Sequence, residues 1–469
     1  MRRFIGGVFL AVLAGVFAFA FAQPAPADDG PKIKSFTLEN GLRVMLVPDF
    51  RSPVVVHMVW YDVGAVDEPA GQSGIAHMLE HMMFKGTDDV PPGEFSKRVA
   101  KLGGQDNAFT SQDYTAYYQK IARNNLAKVV ELEADRMANL NISDAHFQPE
   151  RDVILEERST RVDNKPISLF FEKFNKHHFP EHPYGDPVIG WRDEIKNYTL
   201  ENAVDWYNTH YRPENAIAVF AGALAEEEAK WLARHAYGNI KNGDINNKRE
   251  NTSSRADITP TPLFDAPKRF THTDPRTQLP LFVRSYRAPS LQAGIAGGDP
   301  ATLKEAAALT VLADVLGGGL TSRLYKTLVM EKKLADSARA SYRPVQRYEA
   351  SFSVVAQPHD GVEVKKIEQA VDGVLEKFLR DGITPDALKR AKMQAKSGDV
   401  FARDDLFEAA YRLGRWLTVG GTAAQYQNWL SSIEAVTAQD VQQMAEKVLT
   451  LKQSTTGILR PGQSEAAEK

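Results

Sequence analysis

The chain has 469 residues, 43% of them hydrophobic and 25% charged, with a net charge of -3 and no cysteine. That length fits about two to four domains with ample core, and the near-balanced charge offers neither a basic surface for nucleic acid nor an acidic tail. Disulfides, thiol chemistry and cysteine-held metal are excluded, so any metal must rest on His, Asp or Glu.

At the N-terminus Arg2 and Arg3 precede an apolar run over residues 4–21, and Ala20-Phe21-Ala22 is a small-residue cleavage pattern. We expect a signal peptide over residues 1–22, cut after Ala22, and a flexible mature start over 23–32. The product would be periplasmic or secreted, with no stable membrane insertion after cleavage. A retained anchor is the alternative, because the run is long for a signal peptide. Next come "GLRVMLVPD" and "PVVVHMVWYDVGA", Val-rich runs of alternating character that predict strands. The apolar "SGIAHMLEHMMFKGT" predicts a helix, "DNAFTSQDYTAYYQKI" a second strand pair, and "NLAKVVELEADRMANL" and "PERDVILEERSTRV" two helices. Pro149 suits the first turn of the latter. Residues 239–262, rich in Asn, Ser, Lys and Pro, have no hydrophobic period and predict an interdomain linker. Beyond it the same order returns: "LPLFVRSYRAP", then a helix at "KEAAALTVLADVLGGG", strands at "ASYRPV" and "EASFSVVAQP", and helices at "VEVKKIEQAVDGVLEKFLRDG" and "TPDALKRAKMQAKSG". The expectation is an α+β chain with an internal duplication, one unit over residues 33–238 and its homologue over 263–460, with a flexible tail over 461–469.

Polar residues on the greasy helix need a reason. His77 and His81 are four apart, hence on one face about a turn apart, and both imidazoles can reach one cation. Glu80 stays near that face without being forced onto the ion. Zinc takes imidazole readily, and a carboxylate beside a zinc site can serve as base for water. A third ligand is needed. Glu150 and Glu157 are two turns apart on the predicted helix and share a face, whereas Glu156 lies about 100° around from Glu157. Glu157 is therefore the expected third ligand, with Glu150 behind it to accept a ring N–H from a ligating histidine. The competing reading is a pair of core histidines with Glu80 capping or pairing one of them. His146, His177, His178 and His210 have no partner at ligand spacing and read as surface or structural, and His182 as part of a turn.

His77-Met78-Leu79-Glu80-His81 matches H-x-x-E-H, the inverted zinc motif of the inverzincins. With "GIAHMLEHMMFKGT", "ERDVILEE" and "HPYGDPVIG", the chain resembles the pitrilysin/insulinase family of metallopeptidases from about Ile33 to Leu459, in the short-chain branch that includes the mitochondrial processing peptidase β-subunit. The resemblance implies two homologous α/β-sandwich domains forming half of a clam-shell chamber. It implies one zinc per chain, held by His77, His81 and Glu157, and hydrolysis of peptides or short unfolded polypeptides by activated water with Glu80 as general base. It also implies that an extended peptide adds to the edge of the strand in "GGQDNAFTSQDYTAYYQ", facing Asn107 and Ala108, so that backbone hydrogen bonds supply affinity. Asn107 also reads as an ordinary turn residue, and Tyr114, Tyr117 and Tyr118 read either as groove or as core.

The second half has no equivalent metal site: Met393 stands where Glu157 would align, and the Gly317-Gly318-Gly319 run, with no P-loop Lys-Ser/Thr after it, reads as a flexible loop. Fused relatives use an arginine and, seven residues on, a tyrosine from the C-terminal half. Here those slots hold Val329 and Asp336, although a local shift could bring in Arg339 and Tyr342. The resemblance thus points to a homologous partner subunit, a heterodimer in which the partner supplies Arg and Tyr. A non-catalytic scaffold, or a chamber that binds peptide without turnover, is the competing class.

Overall fold

The computed structural model describes residues 32–242 and 258–462. The expected signal peptide, most of the mature start, residues 243–257 of the expected linker and the tail from 463 lie outside the described residues. Among the described residues no helix is long and apolar enough to cross a membrane.

The first half runs β1 (Lys34–Thr37), β2 (Arg43–Pro48), β3 (Val54–Tyr61), α1 (Ile75–Met82), α2 (Glu94–Lys101), β4 (Gln105–Thr110) and β5 (Thr115–Ala122). It continues with α3 (Leu126–Asn139), α4 (Asp144–Arg158), α5 (Pro166–His178), α6 (Arg192–Lys196), α7 (Leu200–His210), β6 (Ala216–Gly222) and α8 (Glu226–Tyr237). The second half runs β7 (Lys268–Asp274), β8 (Leu281–Ala288), α9 (Leu303–Gly317), β9 (Ala335–Tyr342), β10 (Ala350–Pro358), α10 (Val364–Asp381), α11 (Pro385–Asp404) and α12 (Leu406–Thr418). It closes with α13 (Ala423–Gln427), α14 (Trp429–Glu434), α15 (Ala438–Val448) and β11 (Ser454–Pro461).

The strand orders are β1-β2-β6-β3-β5-β4 and β7-β11-β8-β10-β9. Setting β7 on β2, β11 on β6, β8 on β3, β10 on β5 and β9 on β4 superimposes the orders, and the directions follow. The pairs β2/β6 and β7/β11 are parallel, and every other matched pair is antiparallel. The duplication read from the sequence is therefore one topology used twice, two homologous α/β sandwiches.

β3 differs from its expected alternation. Val55, Val59 and Tyr61 join the core beneath the helices of the first half, while Val56, Met58 and Trp60 join a second core under α12. Both faces are covered, so the strand is apolar throughout, as strands buried on both sides are. The cover on the second face comes from the other half of the chain, and its approach is close: a Cβ on Gly414 of α12 would lie 2.2 Å from the Trp60 ring.

Two expectations are corrected. Pro149 is not in a first turn but sits inside α4, which begins at Asp144. Phe147, fully buried, anchors the added turn in the core, and this burial outweighs the one backbone bond that proline withholds. Nor does Gly317 begin a loose loop. It ends α9 against β9, where a Cβ would meet the Ala340 nitrogen at 1.8 Å.

Polar contacts join the halves. Arg347, in the β9–β10 connection, bonds both carboxylate oxygens of Asp67 at 2.8 and 2.9 Å and the Asp113 carbonyl. Buried His178, at the end of α5, lies 3.0 Å from the hydroxyls of Thr455 and Ser351 in the second half.

Candidate metal centre

α1 is held at its start by an acid. The Glu68 carboxylate accepts from the N–H groups of Gly74 (2.7 Å) and Ala76 (2.9 Å), satisfying donors that a helix N-terminus leaves free and opposing its positive end. Ile75, Met78, Leu79 and Met82 are buried. With that apolar face fixed in the core, His77 and His81 are turned toward α4 and Glu80 toward β4.

Three donors converge there. One atom from each of His77, His81 and Glu157 lies within 4.8 Å of the other two. Glu157 Oε2 is 3.3 Å from His81 Nε2 and 3.8 Å from His77 Nε2, yet it is buried without a properly formed hydrogen bond. His77 Nδ1 is likewise buried and unbonded. Glu156 is exposed, as the helix geometry required. Behind the cluster, Glu150 Oε1 stands 2.8 Å from His81 Nδ1, fixing that ring with Nε2 toward the centre.

Burial and the surrounding carboxylates pull the two histidines in opposite directions. Burial, and then the neighbouring His81, pull the His77 pKa down to about 4. Burial would lower His81 too, but its bond to Glu150 and the nearby Glu157 carboxylate outweigh that and raise it to about 9. The approach of His81 is the chief reason that Glu157 sits below the usual carboxylate range. For Glu150, burial is opposed by bonds to His81 and Lys85, and the net shift is downward. Two imidazoles and a carboxylate, with Glu157 Oε2 buried and short of a proper partner, are a donor set that zinc accepts. Among the described residues no other cluster of this kind occurs.

Glu80 stands apart from the donors. Its pKa is raised, first by burial, and the Thr110 hydroxyl donates to its Oε2. Thr110 ends β4, the edge strand of the first sheet. On that strand the Ala108 N–H donates to the Asn107 side chain at 2.9 Å rather than to β5, so it points to the open edge. Asn107 is exposed there.

The tyrosines are core and seam residues rather than groove. Tyr117 is fully buried and bonded to Tyr211 at 2.9 Å, Tyr114 lies 3.3 Å from the Tyr411 hydroxyl, and Tyr118 packs on Phe407. His182 does form a turn, accepting from the Tyr184 N–H at 3.0 Å.

In the second half, Met393 on α11 is 59% exposed and α9 carries no histidine. Asp336 pairs with His359 at 2.7 Å, and Val329 packs against the main core of the second half. The Tyr342 hydroxyl donates to the Pro289 carbonyl at 2.6 Å inside the protein, which removes it as a donor to substrate. Sequence reasoning missed Lys85, ion-paired to Glu150, Arg161, ion-paired to Glu157 Oε1, and Thr110. Arg161 follows Glu157 by one helical turn and was legible from spacing. Thr110 meets Glu80 only through the tertiary fold.

Residues 43–191 match the family described as insulinase (peptidase family M16), and residues 197–395 the one described as peptidase M16 inactive domain. The zinc protease PqqE of Helicobacter pylori is 31% identical, over 92% of this chain and 93% of its own. An uncharacterized zinc protease of Mycobacterium tuberculosis, Rv2782c, is 30% identical over 91% and 93%. Among solved structures, a protease from Helicobacter pylori matches with a TM-score of 0.85 at 30% identity, over 92% of this chain and 100% of that one. The periplasmic protease PqqL of Escherichia coli shares the fold with a TM-score of 0.76 at 19% identity, over 92% of this chain but 48% of its own.

Proposed function

The chain belongs to the insulinase family, peptidase family M16, and from that premise we propose that it is an exported zinc metalloendopeptidase acting on peptides or short unfolded polypeptides. The observation that carries this reading is the convergence of His77, His81 and Glu157 on one point, with Glu80 one residue from His81 and the open edge of β4 beside it. His77 Nε2, His81 Nε2 and Glu157 Oε2 would hold the ion. Lewis acidity toward water and a peptide carbonyl is what zinc supplies when bound.

The chain's own residues do the rest. A peptide in extended form pairs with β4, and the outward Ala108 N–H and C=O fix its register. Thr110 occupies one oxygen of Glu80 and so orients the other. Glu80 takes a proton from the attacking water and delivers it to the leaving amine nitrogen. Burial, which raises its pKa, suits it to both tasks.

One part is missing. Negative charge gathers on the carbonyl oxygen during attack, and a donor placed for it in advance is worth about 3 kcal/mol. Val329 cannot donate, and Asp336 is an acid tied to His359. We therefore assign that role to an Arg and a Tyr on a homologous partner subunit. The test is cleavage of an internally quenched peptide by the zinc-loaded chain, alone and with the homologous subunit added. Slow cleavage alone, faster with the partner and abolished by chelator, is expected. Full turnover by the single chain would remove the partner, and no turnover in either would assign the chain to the peptide-binding, non-catalytic class.

A further inference from the structure

Beside α12, which covers the face of the first sheet opposite the metal cluster, lies a cavity of about 410 Å3, between the connection after β9, the end of α11 and helices α12 to α14. Sites for small organic ligands span about 300–1,000 Å3 and combine an apolar body with a few oriented polar groups. The body here is aromatic. Tyr411, Trp416, Tyr426 and Trp429 line it, with the Trp416 ring 5.8 Å from Tyr426 and 5.7 Å from Trp429.

Its charge is one-sided. Arg343, Arg403, Arg412 and Arg415 face it against Asp399 and Glu408. Asp399 is taken by Arg403 at 2.7 Å, and Glu408 by Arg412 at 3.1 Å. Among the described residues Arg415 donates only to the Val345 carbonyl, at 2.9 Å. Arg343 is exposed and has no ion pair among the described residues. Two guanidinium groups at an aromatic cavity thus lack a carboxylate, the planar acceptor that their paired N–H groups match best.

We propose that this cavity binds a small amphipathic carboxylate, an aromatic or medium-chain acid. Its apolar body lies among the Trp and Tyr rings, and its carboxylate is taken by Arg343 and Arg415. The cavity adjoins the sheet face that α12 covers, where Tyr411 packs on Phe109 of β4 with ring centroids 5.5 Å apart, while none of its lining residues belongs to β4 itself.

Calorimetric titration of the full chain tests this, with indole-3-propionate and decanoate as probes and indole-3-propanamide and decanol as uncharged counterparts. At least one acid should bind saturably at one site, its neutral counterpart at least tenfold more weakly. Arg343→Gln, a change at an exposed residue that leaves folding intact, should weaken the acid tenfold or more, and Trp429→Ala should weaken acid and neutral probe alike. The proposal is overturned if neither acid binds saturably, if acid and neutral probe bind equally, or if Arg343→Gln and Arg415→Gln both bind as the wild type does.

Discussion

His81 is gripped at both nitrogens. Nδ1 meets Glu150, which is itself ion-paired to Lys85, and Nε2 faces Glu157. Partners behind a ligating histidine fix its tautomer and orientation, and losing them typically costs about 10–100-fold in metal affinity. Glu150→Gln should lose zinc affinity in that range in a competition titration with a chelating dye, and Lys85→Met should lose less. Unchanged affinity in Glu150→Gln would mean that the ring is oriented otherwise. Glu157→Gln should lose more than either, because it replaces a charged carboxylate ligand by a weaker neutral amide, while exposed Glu156→Gln should retain zinc on metal analysis after dialysis. The reverse order would shift the register of α4. This much was legible in the sequence, since spacings of four and seven on helices fix which side chains share a face. Lys85 and Thr110 were not, because Lys85 lies past the end of α1 and Thr110 on a strand, and only the packing brings them to the site.

Two elements carry predictions of their own. β4 is an edge strand whose Ala108 N–H points outward. Proline is tolerated on edges because the donor it removes is not used by the sheet. Ala108→Pro should therefore keep the fold and the zinc while raising KM for peptides several-fold. An unchanged KM would show that substrate does not pair with this edge. The second element is the end of α5. Burial, and then the charges of Arg287 and Lys268, depress the His178 pKa from the ordinary 6.5 to about 3. The native state thus requires the neutral ring, so stability is full above about pH 6.5 and falls as pH drops from there toward 3, at about 1.4 kcal/mol per pH unit. Between pH 7 and pH 5 the wild type should lose about 2 kcal/mol that His178→Gln does not lose, read from urea unfolding of both proteins. Parallel pH profiles would contradict this. The sequence marked His178 as structural but could not show its partners, Thr455 and Ser351, which lie far along the chain. For the same reason the pattern of β3 was misread: no local signal announces that α12, from the other half, will cover its second face.

The duplication was visible in the whole molecule because each half repeats strands and helices in one order, and order survives divergence that erases identity. The contacts between the halves were not visible. Arg347 reaches Asp67, next to the acid that caps α1, and Asp113, in the hairpin turn between β4 and β5. It thus ties the second half to the metal helix and to the substrate edge at once, with both partners of the Arg347–Asp67 pair nearly buried. Removing one side of such a pair leaves a buried charge alone, at a cost of about 3–5 kcal/mol. The half that lost its metal ligands is in this way part of what holds the other half's site.

The central claim is that one metal cluster and one base hydrolyse peptides. It is tested most directly by comparing zinc content and peptide turnover in the wild type and Glu80→Gln, under the conditions that give the wild type its highest rate. Glu80→Gln should keep one zinc per chain and lose turnover by about 100-fold to 10,000-fold, the usual worth of a positioned base. A Glu80→Gln protein that cleaves as fast as the wild type, or that loses its zinc as His77→Ala should, would contradict the account.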